Sequence, residues 1–223
     1  MGREKRDLIA GFLAAAAALF LFGWLAEHIW RHETIAFDAS VRNGLHQFAS
    51  PALTRFFRIV TIFGSEMFLV PFCAFVIWRL VAVGRRHAAA LFTLAAAGAE
   101  TLDFLLKVFF RRTRPEAYFG YALPSSYSFP SGHSMLSACI FGTLAAVVAP
   151  RLPQLWQKLA TWTIAVVATL LIGTSRIYLG VHYPSDVAAG YAAAIIWIGG
   201  VRAGYDVWRF RRAKGVDAET QRR

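Results

Sequence analysis

The sequence predicts an all-α membrane protein with six transmembrane helices, an interfacial helix between the first two, and both termini in the cytoplasm. Two observations lead to this fold class. The 223 residues are 57% hydrophobic and only 17% charged, which argues against a soluble domain. The apolar residues form runs of about 20, the length of helix that crosses a bilayer, and the basic residues lie in short segments between those runs.

The first span is expected over residues 8–26, after a short basic segment. Basic residues before an apolar run also begin a signal peptide. This run is long, however, and residues 24–27 do not form a small-residue cleavage site. We therefore expect an uncleaved transmembrane helix.

Residues 27–58 mix apolar and polar residues and predict a helix that lies in the membrane interface. Four apolar residues recur at helical spacing, with three polar residues between them. The apolar residues are Phe37, Val41, Leu45 and Phe48, and the polar residues are Asp38, Arg42 and His46. A second span is expected over residues 59–83, interrupted by Glu66, Pro71 and Arg79.

Four further spans are expected over residues 88–110, 130–149, 156–173 and 187–201. The third span becomes polar towards its end, at Glu100, Asp103 and Lys107. Residues 209–223 form a polar, basic tail that we expect to be flexible. The length suits one membrane-embedded domain, residues 1–223.

The basic residues predict the orientation of the helices. With six spans, both termini share one side of the membrane, and fifteen of the 24 Lys and Arg residues fall on that side. Cytoplasmic segments carry an excess of Lys and Arg. The termini are therefore expected in the cytoplasm, and the loops that follow the third and fifth spans are expected on the opposite face.

The formal net charge of +11 does not indicate nucleic-acid binding, because the basic residues form no stripe interleaved with exposed aromatic residues. Cys73 and Cys139 both lie within apolar runs. We expect them to be packing residues, without a disulfide or a metal site.

Three polar clusters are candidates for a functional site: residues 107–115, 129–133 and 175–186. The first ends the third span, the second begins the fourth, and the third joins the fifth to the sixth. The six-helix topology therefore brings all three to the face opposite the termini. Ionisable residues next to membrane spans are costly and are functional candidates, so we expect a single site there.

The residue types in these clusters suit phosphoryl transfer. Ser131 and Gly132 precede an apolar helix, and the N–H groups at a helix N-terminus bind anions. Three cations on the same face can neutralise phosphoryl oxygens as charge develops. These cations are Lys107, Arg114 and Arg176.

Two histidines complete the set. His133 and His182 provide one group to attack phosphorus and one to protonate the leaving group. Asp186 lies four residues after His182 and can orient its imidazole. Because Pro184 disfavours helix at the residue before it, we expect this pair to meet across a turn. The sequence has no Cys/His cluster, carboxylate pair or Walker loop, so no metal or nucleotide cofactor is expected.

Together the three segments resemble the type-2 phosphatidic acid phosphatase superfamily of membrane lipid phosphatases, which shares its site with vanadium-dependent haloperoxidases. The family pattern is Lys, six residues, Arg-Pro; then Pro-Ser-Gly-His; then Ser-Arg, five residues, His, three residues, Asp. The sequence matches this pattern without departure at residues 107–115, 130–133 and 175–186.

The resemblance implies that His182 is the nucleophile that forms a phosphohistidine, with His133 as general acid and Asp186 orienting His182. It implies hydrolysis of a lipid phosphate or diphosphate, such as undecaprenyl diphosphate, phosphatidate or phosphatidylglycerol phosphate, without a metal. It also implies a bacterial inner membrane with the site on its outer face. The implied phosphate-binding residues are Lys107, Arg114, Ser131, Gly132 and Arg176.

Two other functions remain open at this point. The same site could serve a lipid phosphotransferase, for example one that acts on lipid A. A small transporter or a scaffold with a structural polar cluster is the non-enzymatic alternative, although the short chain without internal repeats argues against a transporter. Haloperoxidase activity is not expected, because the relatives with that activity are soluble.

Several polar and aromatic residues near the motifs have alternative interpretations. Asp103 and Glu100 favour a buried network with Lys107 over a catalytic role, and Glu66 is interpreted in the same way. Arg111 and Arg112 fit a second phosphate or an anionic head group as well as they fit solvated interface charge. Five aromatic residues predict an interfacial belt: Tyr118, Phe119, Tyr121, Tyr127 and Phe129.

Overall fold

The computed structural model describes residues 3–220, and the side chains of residues 9–211. All regular elements in this range are helical, which confirms the predicted all-α class. The α-helices are α1 (Arg3–Trp30), α2 (Ile35–His46), α3 (Pro51–Ile62), α4 (Glu66–Ala82), α5 (Arg86–Phe110), α6 (Gly132–Val148), α7 (Leu155–Tyr178) and α8 (Pro184–Thr220). A short 3₁₀ turn, Ala149–Arg151, follows α6.

Five helices in the described range are long and apolar enough to cross a membrane: α1, α5, α6, α7 and α8. The pair α3 and α4 together meets the same criterion, but it is bent by 43° at its break. The predicted continuous span over residues 59–83 is therefore wrong in both its start and its continuity. Ser50 caps α3 by accepting the N–H of Leu53, and the Ser65 hydroxyl bonds to the carbonyl of Ile62 and ends it.

Helix α2 lies where the interfacial helix was predicted, between the first two apolar segments, and its polar stripe faces the protein. Asp38 is completely buried, whereas Phe37 is 56% exposed and Phe48, just beyond the helix, is 69% exposed. In a soluble amphipathic helix the apolar face is buried and the polar face is exposed, which is the opposite of what α2 shows. The arrangement of α2 is expected where the apolar face meets lipid and the polar face meets a polar site.

The core lies around α6, which packs against α5, α7 and α8, while α1 packs against α8 and α3 against α7. Phe92, Met135 and Cys139 are fully buried there, as expected for Cys139. The ring of Trp197 in α8 packs directly on the backbone of α5 at Gly98, where a Cβ atom would clash with it. Such close approach through small residues is typical of helix packing in membranes.

Three helices extend beyond their predicted ends. Helix α1 continues to Trp30, past the predicted end at residue 26. Helix α7 continues to Tyr178, so Ser175 and Arg176 lie in its last turn. Helix α8 begins at Pro184 and continues to Thr220, through most of the predicted tail. The flexibility of that tail stays a prediction, and residues 221–223 lie outside the described range.

Candidate active site

Backbone hydrogen bonds join the three polar clusters at one end of the bundle. The N–H of Ser131 donates to the carbonyl of Asp186 at 3.0 Å, and the N–H of Ser128 donates to that of Arg112 at 2.9 Å. These bonds tie the start of α6 to the start of α8 and to the segment that follows α5. The structure therefore brings together the segments that the sequence predicted to form one site.

His182 lies in the turn between α7 and α8 and is only 2% exposed. The chain reverses at Gly180, whose φ of 77° is in the left-handed region that favours glycine. Helix α8 then begins at Pro184, a residue well suited to the first helical position. Nδ1 of His182 lies 3.4 Å from Oδ2 of Asp186, so the pair meets across a turn, as predicted.

The contact of His182 with Arg114 determines which ring nitrogen carries the proton. Nη1 of Arg114 lies 2.9 Å from Nε2 of His182. Since a guanidinium only donates hydrogen bonds, Nε2 must accept. The proton of the neutral ring is then on Nδ1, which faces Asp186, and the lone pair of Nε2 points towards the cations.

Burial and the neighbouring cations keep the imidazole neutral. Burial is the largest cause that lowers the pKa of His182 well below 6.5, and the charges of Arg176, Arg114 and Lys107 lower it further. The pKa of Arg114 is lowered to about 10, first by burial and then by the charge of Arg176. The site is thus a cluster of cations around a neutral histidine.

Arg176 offers a donor that the protein itself does not use. Its Nη1 donates to the hydroxyl of Thr61 at 2.7 Å, while its Nε is buried and has no hydrogen-bond partner among the described residues. A buried donor without a partner costs about 1–3 kcal/mol. A phosphoryl oxygen bound beside His182 would satisfy it.

Lys107 is not a free cation. Its Nζ bonds to both carboxylate oxygens of Asp103, at 2.5 and 2.6 Å, and to the carbonyl of Pro130 at 3.0 Å. The predicted buried network is confirmed for Asp103, whereas Glu100 and Glu66 are exposed. The Lys107–Asp103 pair also explains Gly132, since a Cβ atom there would lie 2.9 Å from Oδ2 of Asp103.

The start of α6 differs in one detail from the predicted anion site. Ser131 is the N-cap residue, but its N–H is already bonded to Asp186, and its hydroxyl accepts a hydrogen bond from Ser134 at 2.9 Å. The N–H groups of residues 132–134 have no preceding helical turn to bond to. They are therefore the amides that an anion would meet.

His133 lies in the first turn of α6, within electrostatic range of Arg176, His182, Lys107 and Arg114. It also contacts the break between α3 and α4. A Cβ atom on Gly64 would lie 3.1 Å from Cδ2 of His133. The break thus forms one wall of the site.

Arg112 has a role that the sequence did not indicate. It is neither a second phosphate site nor solvated charge, because Nη1 bonds to Asp186 at 2.6 Å and Nη2 to Asp38 at 2.7 Å. Ser128 was also missed, although its hydroxyl donates to Asp186 at 2.5 Å. Ser128 lies only two residues before the Pro-Ser-Gly-His motif, whereas Asp38 had no signal beyond its polar stripe.

Two other expectations near the site have different outcomes. Arg111 is exposed and bonds through Nε to the carbonyl of Val108, so its choice of partner stays open. The predicted aromatic belt is wrong for Phe129, which is fully buried and packs on the ring of Phe110. Phe119 stacks on Tyr178.

Comparisons with known proteins identify the family of this chain. The family model of the PAP2 superfamily matches residues 86–209. Phosphatidylglycerophosphatase B of Bacillus subtilis is 31% identical over 199 residues, which are 87% of this chain and 97% of that protein. An undecaprenyl-diphosphatase of Sulfolobus acidocaldarius is 37% identical over 68 residues, 30% of this chain and 29% of that protein.

A solved structure shows the same fold. The crystal structure of a transmembrane PAP2-type phosphatidylglycerolphosphate phosphatase from Bacillus subtilis superposes with a TM-score of 0.78 at 28% identity. The match covers 86% of this chain and 95% of that one. The arrangement of helices is therefore shared, and the chain belongs to the PAP2 superfamily.

Proposed function

We propose that this enzyme hydrolyses a lipid phosphate or diphosphate through a phosphohistidine on His182. The observation that carries the proposal is the candidate anion site: a neutral, buried imidazole surrounded by cations, beside the Nε donor of Arg176, which has no hydrogen-bond partner among the described residues. The named relatives act on phosphatidylglycerophosphate and undecaprenyl diphosphate. Similarity over nearly the full length of the first makes phosphatidylglycerophosphate the first substrate to test.

In the proposed reaction, Nε2 of His182 attacks phosphorus and the bond from phosphorus to the lipid oxygen breaks. His133 gives its proton to that oxygen as general acid. Asp186 holds the Nδ1 proton and stabilises the positive ring that forms. Water then attacks phosphorus, His133 takes a proton from it, and the phosphorus–nitrogen bond breaks to release phosphate and restore His182.

In this mechanism, hydrogen-bond donors held in place by the fold supply most of the stabilisation of the transition state. Arg114 and Arg176 bind phosphoryl oxygens together with the N–H groups that begin α6. Arg114 can exchange its hydrogen bond to Nε2 for one to the phosphate, which frees the nucleophile when substrate arrives. Lys107 holds the carbonyl of Pro130 and so fixes the loop that begins α6. No metal ion is needed in this scheme.

We further propose that the chain is one domain with six spans, the bent pair α3 and α4 counting as one. The excess of Lys and Arg on the side of the termini supports cytoplasmic termini. The site then opens to the outer face of a bacterial inner membrane, where a lipid head group can reach it laterally while the acyl chains stay in the bilayer.

Phosphate release from purified protein in mixed micelles tests the proposal. The panel contains phosphatidylglycerophosphate, phosphatidate and undecaprenyl diphosphate. We expect release from at least one lipid, inhibition by vanadate, no inhibition by EDTA, and no release by His182→Ala. Full activity of His182→Ala would rule out the mechanism. Phosphate found on an acceptor lipid in place of free phosphate would identify a transferase.

A further inference from the structure

A buried carboxylate outside the three motifs is connected to the proposed catalytic pair. Asp38 lies in α2, and its side chain is 1% exposed. Both of its oxygens are used. Oδ1 accepts the N–H of Ser185 at 3.0 Å, and Oδ2 accepts the hydroxyl of Ser185 and Nη2 of Arg112, each at 2.7 Å.

Asp38 therefore caps α8 from another helix. The N–H of Ser185 belongs to the first turn of α8, where amides have no partner within the helix. A carboxylate at this end is also favoured by the helix dipole. Because Asp186 is the next residue, any shift of Ser185 moves the carboxylate that faces His182.

Arg112 connects the two carboxylates rigidly. Nη1 bonds to Asp186 at 2.6 Å and to the hydroxyl of Ser185 at 2.7 Å, while Nη2 bonds to Asp38. The guanidinium is planar, so these bonds fix the distance and the angle between the two acids. The ring of Tyr183 lies 4.1 Å from Cζ of Arg112 and covers one face of the guanidinium.

Sharing one arginine also has an electrostatic consequence. Two carboxylates and one guanidinium leave the cluster with negative charge directed at Nδ1 of His182. Without Asp38, the fork of Arg112 would be free to bind Asp186 with both of its nitrogens. Asp186 would then accept the Nδ1 proton in a weaker hydrogen bond and would stabilise the positive ring of the phosphohistidine less, while Arg114 would still donate to Nε2.

We propose that Asp38 is a positioning residue for the reaction: it shares Arg112 with Asp186 and caps α8 at Ser185, and so holds Asp186 against His182. This inference rests on the proposed function. It differs from a purely structural role, in which Asp38 would only fasten α2 to α8. The structural role affects folding, whereas the positioning role affects the chemical step and the hydrogen bond from Nδ1 of His182 to Asp186.

Kinetics of Asp38→Asn and Asp38→Ala provide the first test. Groups that hydrogen-bond to the ligands of a metal site and orient them typically contribute about 10- to 100-fold, and we take the same range for Asp38. We expect kcat to fall by that amount while KM changes by less than about threefold, since no substrate contact is lost. Trp197→Phe is the matched control, because it removes one partly buried hydrogen bond of α8, to the carbonyl of Ala95, far along the helix from the site.

A double-mutant cycle tests the path through Arg112. If Asp38 acts through Arg112, Asp38→Asn combined with Arg112→Gln will be no slower than Arg112→Gln alone. If the rate losses of the two single variants multiply in the double variant, Asp38 does not act through Arg112, and this part of the proposal is wrong. Asp38→Asn keeps the size of the side chain, so it can be measured even if Asp38→Ala does not fold.

The Nδ1 proton of His182 gives a readout that does not need activity. In ¹H–¹⁵N spectra of protein labelled at histidine, His182 is assigned by its loss in His182→Gln. Because Arg114 still donates to Nε2, we expect the proton on Nδ1 in every variant. We expect its resonance to move upfield in Asp38→Asn, as the hydrogen bond to Asp186 weakens, and to stay in place in Trp197→Phe. An unchanged Nδ1 proton resonance together with an unchanged kcat would overturn the proposal. Absence of phosphate release in the wild type would refute only the proposed function, because the spectra still test Asp38.

Discussion

The two halves of this chain contribute differently to the site. The motif-bearing helices, α5 to α8, and their loops carry all the proposed reactive groups, including His133 and His182. The motif-free helices, α1 to α4, carry none of them, yet they contact those groups. The hydroxyl of Thr61 in α3 binds Arg176, and Asp38 in α2 binds Arg112. The chemistry thus lies in one half, and part of its positioning lies in the other.

The comparison suggests a division between charge and position. The motif-bearing helices set the electrostatic environment of His182, through Arg176, Arg114 and Lys107. The motif-free helices add no cation to this group. They set distances, either by a hydrogen bond, as at Thr61, or by close backbone approach, as at Gly64 beside His133. Substitutions in the two halves should therefore differ in size and in kind.

The largest effect is expected in the motif-bearing half. Arg176→Lys keeps the charge but loses the planar fork that reaches both Thr61 and the phosphate. Removing one such donor from an oxyanion site typically costs about 10²–10³ in rate, and we expect the upper end because the residue is buried. The measurement is kcat/KM for phosphate release. Arg79→Lys, at the exposed end of α4, is the control and should retain activity.

The next effect tests whether backbone approach in the motif-free half matters. In Gly64→Ala, the new methyl group would lie 2.5 Å from Cγ2 of Ile172 and 3.1 Å from Cδ2 of His133. Displacing a catalytic group by about 1 Å can cost about 100-fold in kcat. Gly23→Ala is the matched control, because a Cβ atom there meets nothing within 4 Å. Wild-type kcat in a folded Gly64→Ala protein would contradict the inference that the break between α3 and α4 positions His133.

The sequence predicted the motif-bearing half far better than the other. Fixed spacings predicted that His182, Asp186 and Arg114 lie together, and the structure brings His182 within 3.4 Å of Asp186 and 2.9 Å of Arg114. The break between α3 and α4 was missed, since Gly64 and Ser65 lie in an apolar stretch and their effect depends on α6 and α7. Asp38 was missed because a polar stripe in the sequence does not show whether it faces water or the protein. Here it faces Arg112, which also binds Asp186.

A smaller effect is expected at Thr61, which supports Arg176 without contacting the substrate. Thr61→Val removes the acceptor of the 2.7 Å hydrogen bond from Nη1 of Arg176. A hydrogen bond to a charged group is worth about 1.5–3 kcal/mol. We expect the lower end of this range, a loss of about tenfold in kcat/KM, because Thr61 does not touch the substrate. Thr101→Val is the same change at an exposed site, where the hydroxyl bonds only to the carbonyl of Ala97 within its own helix. If both variants lose activity equally, the positioning role of α3 is wrong.

The pH profile of kcat/KM distinguishes substitutions that change the charge around His182 from those that change only the position of a side chain. Because burial and cations lower the pKa of His182 well below 6.5, the ring stays neutral as the pH falls through 6.5. The acidic limb of kcat/KM, measured with a short-chain lipid phosphate, is therefore expected well below pH 6.5. Arg114→Gln removes a positive neighbour, so the imidazolium form becomes less unfavourable, the pKa rises, and the limb moves to higher pH. Thr61→Val leaves every charge in place, so it should lower the rate without moving the limb. A limb that moves equally in both variants would show that charge and position are not divided between the two halves.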